Sequence, residues 1–388
     1  MNKEPLDLEK KMKEKPMIFS FFSGSGFLDL GFENSGFDVC FVNEFHKPFI
    51  EAHKYSRQLM KLDIPSYGYF TDSIEAFVDG DKSKVLSDLV NNAKDKASVG
   101  FIGGPPCPDF SVAGKNKGST GENGRLTKVY VDCILKNTPD FFLFENVKGL
   151  WRTARHRAFY EEMKSALRDA GYILTDRLTN SIEFGAPQDR DRILMFGVKQ
   201  DAFNISNDDE LENKFKWGRD IKFDKNTVLN KDLWPKQESF SVDSNRSIPF
   251  SVVEFESLTV EYWFKKNVVD QHPNASHHFT PRQALSRFKT IGEGDDAKKS
   301  FKRLHRWRYS PTAAYGNNEV HLHPYKERRL SAAEALAIQS LPKEFVLPPT
   351  MTLSNMFKTI GNGVPYLLAL AIAKEIFSFV TNFETPKK

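Results

Sequence analysis

Cysteine is nearly missing from this chain: Cys40, Cys107 and Cys133 are the three in 388 residues. They lie far apart, form no CxxC pair and have no histidine at zinc-ligand spacing, which excludes a disulfide framework and gives no reason to expect a metal. A reducing, cytoplasmic setting fits that usage. Long apolar runs are lacking too. The longest, residues 364–372 and 18–22, fall well short of the roughly 20 residues of a membrane span, so no membrane partner is expected. The opening MNKEPLDLEKKMKEKP carries charge but no apolar stretch with a small-residue cleavage site, and reads as a solvated arm over residues 1–16 rather than a secretion signal. Neither sign of charge dominates. With 55 Lys and Arg against 51 Asp and Glu, the net charge of +4 permits an anionic partner without requiring one, and local charge has to decide. Internal repeats and low-complexity tracts are also missing.

What is present is ordinary globular text, 40% hydrophobic and 27% charged, long enough for two lobes. The first half alternates short β-rich apolar runs (residues 17–22, 39–43, 99–102, 141–144, 173–178 and 193–198) with helical stretches such as 158–169. That alternation predicts an α/β fold with a doubly wound, Rossmann-like sheet. Ligands of such sheets bind beyond the carboxyl ends of the strands, so the loops after Phe22, Val42, Ile102 and Phe144 matter most. From about residue 199 to 279 the text turns polar and irregular, with strand-like pieces at 250–255 and 258–264. Ser331 with Glu334 three residues on predicts a capping box opening a helix over 331–340. The expected divisions are an arm (1–16), a first lobe (17–215), a smaller domain (216–345) and a C-terminal segment returning to the first lobe (346–388), through a helix over about 364–379.

Four loops carry the candidate chemistry. Ser23-Gly24-Ser25-Gly26 follows the first strand and precedes a helix from about Phe27, a turn in which backbone can approach a ligand; a plain strand-to-helix turn explains it equally well. Glu44, ending the next strand, is suited to gripping ribose hydroxyls and is followed by the aromatic Phe45. Asp72 is a third candidate, placed to accept from an adenine amino group. Each acid read alone is also a normal solvated loop residue.

The most telling loop is Gly103-Gly104-Pro105-Pro106-Cys107-Pro108. Two glycines and the two prolines before the thiol fix an abrupt turn that holds it beyond a strand end, whereas an inert buried cysteine normally sits within a strand or helix. Cys107 therefore reads as a nucleophile. Glu145-Asn146-Val147, at the neighbouring strand end, adds a carboxyl that, withdrawn from water, is suited to donating to a ring nitrogen; without the thiol nearby it reads as a helix-capping acid. Gln188-Asp189-Arg190-Asp191-Arg192 puts Arg190 and Arg192 on one side of an extended segment. Such a pair suits a base carbonyl, a phosphate or a carboxylate, and equally a surface ion-pair ladder.

In order and spacing, these segments, together with Arg328-Arg329-Leu330 and Gly361-Asn362-Gly363-Val364-Pro365, resemble the DNA (cytosine-5)-methyltransferase family, in particular its bacterial restriction-modification members. The resemblance runs from about Ile18 to the C-terminal helix, with residues 198–310 matching only as the long variable stretch that in this family recognises the target. It implies a catalytic domain over 17–215 that binds S-adenosylmethionine through Phe22, Ser23, Gly24, Gly26, Glu44, Phe45, Asp72, Pro105, Leu126 and Asn362. It also implies a flipped cytosine surrounded by Pro106, Cys107, Glu145, Asn146, Arg190 and Arg192. Two positions depart from the family pattern: Phe27 stands where a second glycine is usual, and Pro108 follows the nucleophile where glutamine is common. The first is expected to change packing near the cofactor, the second the way the base is held.

The resulting expectation is methyl transfer from S-adenosylmethionine to carbon 5 of a cytosine in a specific duplex sequence, leaving S-adenosylhomocysteine and using no metal. Residues 113–125 are expected to form a loop that closes on the base. Phosphate contacts are expected from the basic run Lys298, Lys299, Lys302, Arg303, Arg306 and Arg308, read alternatively as a solvated helix face. A monomer is expected, with a companion restriction endonuclease as an open association. A tRNA cytosine-5 methyltransferase on the same scaffold is the main rival. A DNA-binding protein without catalysis and a nicotinamide-dependent dehydrogenase fit less well, because neither explains the Pro-Pro-Cys loop beside Glu145.

Overall fold

The computed structural model describes residues 14–106, 122–243, 245–280, 285–298, 300–313, 315 and 319–384. Seven strands form one sheet: β1 (Met17–Phe21), β2 (Asp38–Asn43), β3 (Gly68–Phe70), β4 (Val99–Gly103), β5 (Phe141–Val147), β6 (Tyr172–Asn180) and β7 (Asp191–Lys199). Their order is β3-β2-β1-β4-β5-β7-β6, parallel except for β7, which runs antiparallel to both β5 and β6. Chain order reverses between β1 and β4, so the crevice at their carboxyl ends is the place where a ligand binds in such sheets.

Residues of β1, β4 and β5 are buried along almost their whole length. Continuous apolar strands are what a sheet covered on both faces requires, and two clusters cover it. One joins Phe19, Phe101, Tyr130, Phe144 and Leu167, the other Ile18, Phe141, Leu194, Leu368 and Ile376. The six strands expected from sequence are found, each within a few residues. The seventh, β3, goes unannounced in the sequence, because three half-buried residues carry no readable alternation.

The expected C-terminal helix extends over Tyr366–Phe383. It is long and apolar enough to cross a membrane, yet its Leu368, Ile372, Ile376, Phe379 and Val380 are buried in the second sheet cluster, the ordinary place for a core helix. The helix Ala332–Ile338 opens on Ser331 with the capping box in place. The strand-like pieces at 250–255 and 258–264 are instead helical, a 3-10 segment Phe250–Leu258 and an α-helix Val260–Lys266. Pro249 and the Thr259 side chain, which accepts from the backbone N–H of Tyr262, cap them; short apolar runs do not distinguish strand from buried helix.

The boundaries expected at 215/216 and 345/346 fall where hydrophobic clusters are continuous. Phe215 and Trp217 share the second sheet cluster. A third cluster joins Phe27, Leu30 and Ala52 of the first lobe to Val260, Leu336, Phe345 and Phe357. A fourth, around Ile182, Val228, Trp234, Val252 and Leu258, fastens residues 228–258 to the segment that follows β6.

Candidate active site

The first loop is pinned to β2. Ser23 donates through both its backbone N–H and its Oγ to the carbonyl of Asn43, at 3.2 and 2.9 Å. Gly24 N–H donates to Glu44 Oε2 at 2.9 Å, and the other carboxylate oxygen accepts from His46 N–H at 2.7 Å. Burial pushes the Glu44 carboxyl above the usual carboxylate range, against those two N–H groups, which favour the anion. Each oxygen keeps lone pairs free of these bonds, a donor-seeking pattern suited to vicinal hydroxyls. Phe22 adopts a left-handed backbone with φ of 53°, uncommon for an aromatic residue and a frequent mark of a ligand site. Its half-buried ring meets Tyr130 edge-on.

Asp72 is held nearby because Asn43 Nδ2 donates to its backbone carbonyl at 2.9 Å. Leu126 packs partly buried against the first sheet cluster. Phe45 stands 71% exposed beside Glu44, leaving a ring face open to a ligand. Asn362 is exposed at the end of the helix Leu353–Asn362. That helix reaches the glycine loop through Ser25 Oγ and Thr359 Oγ1, 2.7 Å apart. The structure also accounts for Phe27: a Cβ on Gly363 would lie 2.1 Å from the Phe27 ring, and that ring packs edge-on against Phe345. The aromatic residue takes the room that Gly363 leaves.

The second centre lies at the adjoining strand ends. β4 pairs with both β1 and β5, so the segment leaving β4 runs between the glycine loop and Glu145. Pro105 is buried and Pro106 half-buried. A Cβ on Gly104 would stand 2.6 Å from Glu145 Oε2, a contact real side chains do not make; glycine there lets the loop backbone pass directly over the carboxylate. Cys107, Pro108 and the expected closing loop up to residue 121 lie outside the described residues. Residues 122–125 begin the helix Glu122–Asn137. The other two thiols, Cys40 and Cys133, are fully buried, and burial pushes both far above the usual thiol range, so neither is a nucleophile.

Antiparallel pairing of β5 with β7 sets Val147 opposite Arg192 and Glu145 opposite Leu194. Arg192 Nε then reaches Glu145 Oε1 at 2.7 Å, with both side chains about one-tenth exposed. Asn146 is buried, its Oδ1 accepting from Val147 N–H and its Nδ2 without a hydrogen-bond partner among the described residues. Arg190 takes a different role. It is 1% exposed and donates to the carbonyls of Gly361 (2.8 Å) and Ala313 (3.3 Å). Alternation along an extended segment predicts that the two arginines act together; instead Arg192 meets the carboxylate, while Arg190 ties the Gly361 segment to the sheet.

Sequence reasoning passes over Asp191, between these arginines, and Lys148, directly after Glu145-Asn146-Val147. Asp191 bridges Lys148 and Lys225. The signal available is an acid set between two basic residues at a strand start.

The basic run needs correction. It is not a helix, and Arg303 and Arg306 are buried. Arg303 donates to the carbonyls of Ile291, His323 and Phe288; the Arg306 guanidinium holds Glu293 through two bonds of 2.8 and 3.0 Å, and its backbone N–H adds a third at 2.9 Å. Arg308, half-buried, donates to the carbonyls of Pro235 and Gly294. Lys298 is exposed and Lys302 half-buried, while Lys299 lies outside the described residues. Because Glu293 and Arg306 are both out of water, Glu293→Gln is expected to cost roughly 3–5 kcal/mol by leaving an uncompensated buried charge. A urea melt showing less than about 1 kcal/mol of change would refute that reading.

Known proteins resemble this chain over most of its length. The description "C-5 cytosine-specific DNA methylase" matches residues 17–378. The Type II methyltransferase M.NmeDI of Neisseria meningitidis serogroup C is 59% identical over 96% of this chain and 86% of its own. M.FnuDI of Fusobacterium nucleatum is 29% identical over 96% and 97%. Among solved structures, a DNA modification methyltransferase encoded within an E. coli prophage superposes with a TM-score of 0.65 at 20% identity, covering 95% of this chain and all of that one, a likeness of fold. Among the described residues no cluster of His, Cys, Asp and Glu could hold a metal. On the family match and the relative at 59% identity, this chain belongs to the C-5 cytosine-specific DNA methylase family.

Proposed function

We propose that this DNA cytosine-5 methyltransferase uses Cys107 as nucleophile and Glu145 as ring-nitrogen partner on a cytosine rotated out of duplex DNA, with S-adenosylmethionine as methyl donor. The observation that carries the reading is the Glu145–Arg192 pair beneath the loop that leads to Cys107. Glu44, Phe22, Phe45, Asp72, Leu126 and Asn362 are the residues to hold the donor. Its hydroxyls suit the Glu44 carboxylate, whose oxygens each accept one backbone N–H and keep further lone pairs. When bound, S-adenosylmethionine supplies a methyl group on a sulfonium centre.

Carbon 5 of cytosine is a weak nucleophile. Addition of the Cys107 thiolate to carbon 6 makes a sulfur–carbon bond, and the charge it places on the ring is met at nitrogen 3 by a proton or hydrogen bond from Glu145. Arg192 keeps that carboxyl group in position. The ring electrons so released make carbon 5 the attacking atom. Once it is methylated, loss of its proton to a base and cleavage of the sulfur–carbon bond restore the aromatic ring and the thiolate. Removing the base from the stack costs a few kcal/mol, offset by pocket contacts; Pro106 and Asn146 are further wall candidates.

Target recognition is assigned to the region 216–345, and phosphate binding by the basic run to Lys298 and Lys302, which are not buried, with Arg308 contributing a half-buried charge; Lys299 remains a candidate outside the described residues. The named Type II relatives suggest the protective half of a restriction-modification pair. The chain is proposed to work as a monomer on DNA in the cytoplasm. Incubation with radiolabelled S-adenosylmethionine is expected to label duplex DNA and not tRNA, and bisulfite sequencing of DNA from an expressing host is expected to reveal one short methylated site. Label confined to tRNA would overturn the proposal.

A further inference from the structure

Asp191 is the first residue of β7, one position before the arginine that pairs with Glu145. Its Oδ2 accepts from Lys148 Nζ at 2.8 Å, and its Oδ1 from Lys225 Nζ at 2.7 Å and from Asn180 Nδ2 at 3.0 Å. Asn180 is fully buried and caps the 3-10 turn that follows β6. The carboxylate is therefore held from the protein side, while the two ammonium groups that flank it remain near the surface. The Lys148 side chain is 57% exposed and that of Lys225 30%, against 19% for Asp191.

The positions of the two lysines in the fold are informative. Lys148 comes directly after the end of β5, three residues beyond Glu145. Lys225 opens the short helix Lys225–Val228, whose Val228 belongs to the apolar cluster around Trp234 in the variable region. The pair thus joins the carboxyl end of β5, which carries Glu145, to the region assigned to target recognition. Asn180 Nδ2 also donates to Asp189 Oδ1 at 2.7 Å, so a second carboxylate stands on the protein side and the two ammonium groups form the outward face of the cluster. Each ammonium has three N–H donors and spends one of them on Asp191. A lysine tethered in this way loses less freedom on binding an anion than one free in solvent.

We propose that Lys148 and Lys225, aimed by Asp191, form a clamp for target-strand phosphates flanking the rotated cytosine. The clamp rests on the functional reading above. It gives the enzyme a grip on the backbone next to the reacting base without reading sequence, as phosphate contacts do. Asp191 is a positioning residue here: it touches no nucleotide and holds the two lysines that do.

The test is the salt dependence of binding, measured by fluorescence anisotropy, between the full chain and a fluorescein-labelled duplex carrying the methylation site mapped by bisulfite sequencing. Because each phosphate neutralised adds about 0.9 to the slope of log K against log salt, Lys148→Gln and Lys225→Gln are each expected to flatten it by about that amount. The double variant should flatten it by about twice as much. Lys148→Arg, which keeps the charge, is expected to keep the parental slope. A merely structural ion triad would lower the melting temperature of the double variant and leave the slope unchanged, which overturns the clamp. If the parental chain methylates the duplex while the slopes do not move, the clamp alone fails. A parental chain that transfers no methyl to duplex DNA fails the functional reading and the clamp together.

Discussion

Replacing Cys107 with serine is expected to abolish methyl transfer to DNA while leaving binding of S-adenosylmethionine and of DNA in place. A serine hydroxyl is almost wholly protonated at neutral pH and has no adjacent general base in this proposal, so it cannot add to carbon 6 as a thiolate does. The isosteric change leaves the turn made by Gly103, Gly104, Pro105 and Pro106 intact, and the groups around Glu44 lie on other loops. Cys40 and Cys133 cannot substitute, since both are sealed in the core. Single-turnover methylation together with equilibrium binding of each ligand separates the two effects. Appreciable methylation by the serine variant would remove Cys107 from the mechanism.

Glu145→Gln is expected to lower the single-turnover rate by about 10²–10⁴-fold, the range typical for loss of a positioned acid or base. An amide can still hydrogen-bond to ring nitrogen 3 but cannot give it a proton. The substitution also turns the 2.7 Å ion pair with Arg192 into a neutral hydrogen bond at most, because the amide oxygen still accepts but carries no charge. Affinity for S-adenosylmethionine should change little, because Glu145 is not among the residues assigned to the donor. A rate within a factor of about three of the parent would show that Glu145 serves only to hold Arg192. An equal loss in the rate and in donor affinity would point instead to collapse of the loop over Gly104.

The local parts of this molecule are legible in the chain. Runs such as residues 141–144 are apolar on both faces and are bounded by turn residues, so the positions of β5 and its neighbours follow from the local pattern alone. The capping box at Ser331 and Glu334 is a four-residue pattern with its own hydrogen bonds, and it forms as expected. Helix and strand are not separable by pattern at 250–264, where aromatic and β-branched residues suit either state and burial among Trp234, Val252 and Leu258 decides. Arg303 and Arg306 read as a basic surface because sequence records charge but not the direction a side chain faces. Both point inward, to carbonyls and to Glu293.

By itself the sequence determined the alternating α/β order, the Gly- and Pro-bearing turns at the strand ends and the ordered set of motifs that identify the family, because each depends on neighbours a few residues apart. Only the tertiary structure decided that Arg192 rather than Arg190 meets Glu145. It alone also showed Arg190 bound to the Gly361 segment, and Asp191 joining Lys148 to Lys225. Those contacts follow from the antiparallel register of β5 with β7 and from side chains converging across tens to hundreds of residues. Local periodicity carries no information about such pairings.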